Sequence, residues 1–241
     1  MKKLTVILGG LALGAFMALT PFTSHGTIIG SKHDFSTNTL YWVGGTNNWT
    51  VSFGRTNVCG ECHTIHHAPD PARGPLWIHT PTANTFKTYD QAGSETFPSG
   101  LTVSLGSSSK ACLSCHDGSI AINSQDTGAM PNTTTTLKGG TGVFIATNAI
   151  VVEVAGGQDD LTHMHPIGVN YASAISLMPA GDLNPVSTPI AGGNIDSVML
   201  KSGNVECSSC HDIHRTQGTS SSSGIYTIAS GQTLCLTCHN K

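Results

Sequence analysis

Cys59-Gly60-Glu61-Cys62-His63 sets a spacing that returns three times, as Cys112-Leu113-Ser114-Cys115-His116, Cys207-Ser208-Ser209-Cys210-His211 and Cys235-Leu236-Thr237-Cys238-His239. Residues i, i+3 and i+4 share one face of a helical turn, so two thiols and an imidazole can reach one flat macrocycle. C-x-x-C-H is the attachment motif of covalently bound c-type haem, in which the thiols add to porphyrin vinyl groups and the imidazole binds iron. Four disulfides, redox pairs or two zinc sites are the rival readings of the eight cysteines. All eight fall in C-x-x-C pairs and a histidine follows each pair. With 12 histidines in 241 residues, chance would place one after all four pairs roughly once in 10⁵ trials. A structural disulfide or a Cys₄ zinc ribbon has no use for that histidine. The cofactor expectation is four covalently attached haem c groups, held by Cys59, Cys62, Cys112, Cys115, Cys207, Cys210, Cys235 and Cys238, with His63, His116, His211 and His239 as proximal iron ligands.

The sequence opens Met1-Lys2-Lys3 and then runs uncharged for 17 residues, Leu4 to Thr20. A positive start followed by an apolar stretch reads as a signal peptide, somewhat short for a membrane span. Ser24-His25-Gly26 offers small residues for cleavage, so residues 1–26 are expected to be the signal and 27–241 a single tetrahaem domain. The expected location is outside the cytoplasm, secreted through the periplasm, with no permanent membrane anchor. Loss of Lys2 and Lys3 leaves nine basic residues against 14 acids, a formal charge of −5. A nucleic-acid partner requires a basic surface, which this balance excludes.

Along the remaining chain, aromatic residues are 6 % and charged residues 10 %, so the porphyrins themselves should supply much of the buried apolar surface. Leu40–Val43 and Trp49–Phe53 around a Gly/Asn turn read as a hairpin, as do Gly142–Ala146 and Ala149–Val154 around Thr147-Asn148. The 48 residues between His63 and Cys112 read as loop, and so does the Gly/Pro-rich run from Pro166 to about Asn194. Twelve-residue helical periodicity is lacking. The expected fold is mostly coil wrapped around four haems, with short helical turns at the C-x-x-C-H motifs and a few short β-hairpins.

Chemistry then depends on the sixth iron ligand, since a second imidazole closes an iron that water or substrate could otherwise occupy. Seven histidines outside the motifs and the signal are available: His33, His66, His67, His79, His163, His165 and His214. His66 and His214 each follow a proximal histidine by three residues; such an imidazole cannot reach the far face of its own haem but can reach a neighbouring iron. His33 and His165 would tie otherwise haem-free segments to the core. His79, beside Trp77, is a weaker candidate, and His67 and His163 read as propionate partners or solvated groups. Met130, Met164, Met178 and Met199 could supply a thioether, yet the histidine supply favours bis-His, low-potential haems throughout. None of the four motifs is a variant of the kind a catalytic haem often carries. Electron transfer without substrate chemistry is therefore expected, in preference to an oxidoreductase subunit with an open iron.

Ser31-Lys32-His33-Asp34-Phe35, Cys59 through Pro69, Pro75-Leu76-Trp77-Ile78-His79, Cys112 through Ser119, His165-Pro166-Ile167-Gly168 and Cys207 through Arg215, in that order, resemble secreted multihaem cytochromes. Four haems in about 215 residues resembles the OmcE-type extracellular tetrahaem cytochromes, which polymerise into filaments carrying electrons along a continuous haem chain. The resemblance implies a homopolymer with intersubunit haem ligation, His66 being the donated ligand, and redox partner cytochromes or extracellular acceptors. Five positions, His33, His66, His79, His165 and His214, then compete for four irons, with His79 the first to set aside. A soluble periplasmic tetrahaem shuttle is the alternative.

Overall fold

Short apolar runs separated by glycine and polar residues give short elements. The computed structural model describes residues 28, 33–34, 58–60, 62–64, 76–80, 82–122, 124–126, 135–137, 152–154, 158–214 and 231–240. The signal, the hairpin expected over 40–53, and His66 and His67 lie outside the described residues.

A small three-segment platform organises the middle of the chain. Strand β6 (Val169–Asn170) pairs antiparallel with β9 (Asn204–Val205), Val169 facing Val205. On its other side Val103 bridges Val169. Gly168 closes the arrangement, accepting from the Ser104 amide at 2.8 Å and donating to the Val205 carbonyl at 2.7 Å. Its φ of +76° is open to glycine, and a Cβ there would lie 2.8 Å from the Ser104 carbonyl carbon, so a side chain is excluded by both conformation and space.

The platform aims three helices. The segment after Val103 enters α1 (Ser107–His116), β6 enters α2 (Tyr171–Leu177), and β9 enters α3 (Cys207–Cys210). The Asn170 side chain caps α2 by accepting from the Ser173 amide at 3.0 Å, and Pro179 follows the helix's end. Helices α1 and α3 pack on each other. A fourth helix, α4 (Gly231–Cys238), carries the last motif.

Peripheral strands are two or three residues long. Phe86–Lys87 (β1) runs parallel to Gln158–Asp160 (β5), which pairs antiparallel with Val152–Val154 (β4). Ser124–Asp126 (β2) pairs with Thr135–Leu137 (β3), and Pro189–Ile190 (β7) with Gly193–Asn194 (β8). Apolar packing is divided among three small clusters: Leu101, Val169 and Ala174; Leu113 and Leu161; and Tyr171, Ile195 and Leu200.

Several elements differ from the sequence reading. The second motif closes a ten-residue helix rather than a single turn, because its start is anchored by distant residues described below. Helix α2 and a π-helical turn at Ile195–Met199 occupy or adjoin a run read as loop; their asparagine caps, Asn170 and Asn194, supply what periodicity lacked. Val152–Val154 pairs with Gln158–Asp160, while the partner expected at 142–146 lies outside the described residues. Among the described residues no helix is long and apolar enough to cross a membrane.

Candidate metal centres

Each motif winds so that its histidine amide returns toward its first cysteine. His63 donates to the Cys59 carbonyl at 2.9 Å, His211 to Cys207 at 3.0 Å and His239 to Cys235 at 2.8 Å. After the first motif the chain turns extended: His63 bridges Trp77, and the Thr64 amide donates to the Leu76 carbonyl at 2.7 Å. Leu76 adopts φ +60° there, unusual for a branched side chain. In α1 the face bearing Ser109, Leu113 and Ser114 is buried, leaving Cys112, Cys115 and His116 half-buried beside it.

The last motif sits in a cradle made by residues 181–184. Leu183 bridges His239, the Asn184 amide donates to the Cys238 carbonyl at 2.8 Å, and the Asn184 side chain donates to the Leu236 and Thr237 carbonyls at 3.1 and 3.0 Å. These contacts satisfy carbonyls that a helix C-terminus otherwise leaves open. Buried Tyr171 reaches the carbonyls of Asn184 and Cys238 with its hydroxyl.

Three motif histidines each face a histidine from elsewhere in the chain. Ring centres are 6.0 Å apart for His33 and His116, 6.2 Å for His63 and His214, and 6.1 Å for His165 and His239. A metal ion held at about 2 Å by one nitrogen of each imidazole sets the ring centres roughly 6 Å apart. Ordinary ring packing reaches the same distance, as His63 and Trp77 at 6.1 Å show; what sets the three pairs apart is that each joins a motif histidine to a histidine from outside the motifs. The donor sets thus fit an iron between each pair. Burial holds His33 and His116 below the usual histidine range, His116 at about 4, with neighbouring histidines adding to the effect; a neutral imidazole is the form that binds metal.

Neighbouring motifs also feel one another's charges. The Cys112 and Cys207 thiols are hydrogen-bonded, which pushes Cys112 up and draws Cys207 down to about 7. Burial raises Cys115 to about 12, with Cys62 of the first motif contributing. Burial likewise lifts Cys210 to about 11, with Cys238 and Cys235 of the fourth motif adding to it. First and second, second and third, and third and fourth motifs are therefore spatial neighbours in chain order.

His79 is 3 % exposed and packs on Trp77 with ring centres 5.4 Å apart, far more enclosed than its low standing in the sequence reading suggested. His163 is exposed. Met164 packs against the cluster of Leu113 and Leu161, and Met199 is buried. Glu206, Asn184 and Tyr171, none singled out from the sequence, prove central to holding the motifs. No local sequence signal marks any of the three.

Residues 200–241 match the family described as the doubled CXXCH motif. These 42 residues contain the third and fourth attachment sequences and are similar to the paired haem-binding segments of multihaem c-type cytochromes. No curated protein matches the chain. The motifs indicate covalent haem c binding, and the doubled arrangement points to multihaem cytochrome electron transfer.

Proposed function

We infer that the chain is an extracellular electron carrier holding four haem c groups, every iron ligated by two imidazoles, and that its subunits join through a shared iron into a filament. The observation that carries the ligation is the set of three ring pairs at 6.0, 6.2 and 6.1 Å, each uniting a motif histidine with one from outside the motifs. Haem, once attached, supplies one-electron exchange between ferric and ferrous iron. The protein's part is to hold each porphyrin by two sulfurs, fix its iron from both sides, and set successive motifs next to one another. The contacts between successive motifs, and between the first and third through His63 and His214, support transfer between neighbouring haems.

His33, His165 and His214 are assigned to the irons of His116, His239 and His63. His66 and His79 then remain for the iron of His211. The likeness to filament-forming tetrahaem cytochromes favours His66, donated by an adjoining subunit. The burial of His79 favours a second reading, in which it serves within its own chain and the protein is a monomeric periplasmic shuttle. Electron microscopy of the secreted fraction distinguishes them, with His66→Ala and His79→Ala as controls. Filaments lost in His66→Ala but kept in His79→Ala, with all four haems attached in both, is the expected result. Filaments that survive His66→Ala reject the intersubunit assignment.

A further inference from the structure

Helices α1 and α3 are joined by a set of hydrogen bonds that spans about 100 residues of chain. The Cys207 amide donates to Ser109 Oγ at 3.0 Å, and the Ser108 and Ser208 hydroxyls are 2.8 Å apart. At the centre lies Glu206, 2 % exposed. Its Oε1 accepts from the Gly106 amide, the N-cap of α1, at 2.9 Å. Its own amide donates to Ser209 Oγ at 2.9 Å, so Glu206 also starts α3. A Cβ on Gly106 would lie 2.5 Å from Oε1; the helix start is shaped to admit the carboxyl group. Oε2 is buried with no hydrogen-bond partner among the described residues.

A carboxylate at a helix N-terminus is stabilised by the oriented amides, but removing a charge from water without full pairing is unfavourable. Fixing two backbones together needs no such charge, since a serine or asparagine would bond Gly106 as well. What glutamate alone adds at this place is a carboxyl group able to carry a charge. Immediately beside it are Cys112 and Cys207, whose thiols touch and which begin the second and third attachment motifs.

We propose that Glu206 is a positioning and charge-setting residue for electron transfer, holding the second and third haem segments together and favouring the ferric state of both irons through its buried negative charge. The proposal rests on the haem-bearing reading above. A negative charge in a low-dielectric site lowers the reduction potential of nearby iron because it stabilises the more positive oxidation state. With haem attached, an electron in the chain would then reside on the first and fourth haems in preference to the middle pair.

Spectropotentiometric titration of the four-haem protein and its Glu206→Gln variant tests this. The amide keeps an oxygen for Gly106 and removes the charge. Two of the four midpoint potentials should rise by at least the equivalent of a tenfold change in the one-electron equilibrium, 59 mV, while the other two hold. Unchanged potentials, or an equal shift of all four, would overturn the proposal. Should the variant fail to retain its haems, redox-difference infrared spectra of wild-type protein carrying ¹³C-glutamate serve instead. A buried carboxylate band that moves on reduction is expected, and a spectrum lacking one rejects the role. Peptide mass mapping that finds Cys112 or Cys207 without haem would instead overturn the four-haem reading on which the role depends.

Discussion

His214 shows how much one residue can do. It lies three residues beyond His211, yet its ring lies 6.2 Å from that of His63 in the first motif, because an i+3 side chain projects past its own motif toward a neighbouring one. Replacing it by alanine should open one iron and leave three closed. His214→Ala is expected to bind one carbon monoxide per chain when reduced, whereas the native protein binds none. Difference spectra at known haem content measure the stoichiometry; a variant that stays fully low-spin would remove His214 from the ligand set. The ring pairs at 6.0 and 6.1 Å give His33 and His165 their places, although neither follows a motif. Burial keeps His33 and His116 neutral, so both lone pairs are available without competition from a proton at neutral pH.

At the scale of elements, regular structure here is imposed by tertiary contacts. Ser107-Ser108-Ser109 is a poor helix start by propensity, but Gly106, Ser108 and Ser109 are each tied to the third motif. Strand β6 is only two residues long and persists because it lies between Val103 and Val205. Gly168 is the point at which that sandwich is tightest. Gly168→Ala should destabilise the holoprotein by about 2 kcal/mol or more, from the positive φ together with the clash against Ser104. Thermal unfolding monitored at the haem absorption would show a lowered midpoint. A midpoint within a degree of the native value would mean that the platform relaxes freely.

For the molecule as a whole, the apolar interior of the described residues is thin and divided. Thirteen buried hydrophobic side chains fall mainly into three clusters of two or three residues. Burial this thin offsets little of the conformational entropy of the described segments. On the proposed haem-bearing reading, porphyrin packed against protein and ligands that tie distant segments to iron supply the balance, by the linkage that makes metal domains fold only with metal. A chain in which all eight motif cysteines are alanine should therefore remain largely unfolded. Circular dichroism with denaturant titration should show no cooperative transition; a sharp transition at native strength would show that the protein core suffices alone.

Attachment chemistry was legible in the sequence because it is local: two thiols and an imidazole at i, i+3 and i+4 need nothing beyond one turn of helix. The number of motifs, the charge balance and the list of histidines able to close an iron could be read in the same way. Partner choice was not legible. Which histidine faces which motif depends on how loops of 23 to 90 residues return, and no local propensity encodes that return. The role of Glu206 was hidden for the same reason, since its partner Gly106 lies 100 residues away and a lone glutamate before a cysteine carries no pattern. Tertiary structure decided these points, because long-range hydrogen bonds and buried charge acquire their meaning only when distant segments share a low-dielectric interior.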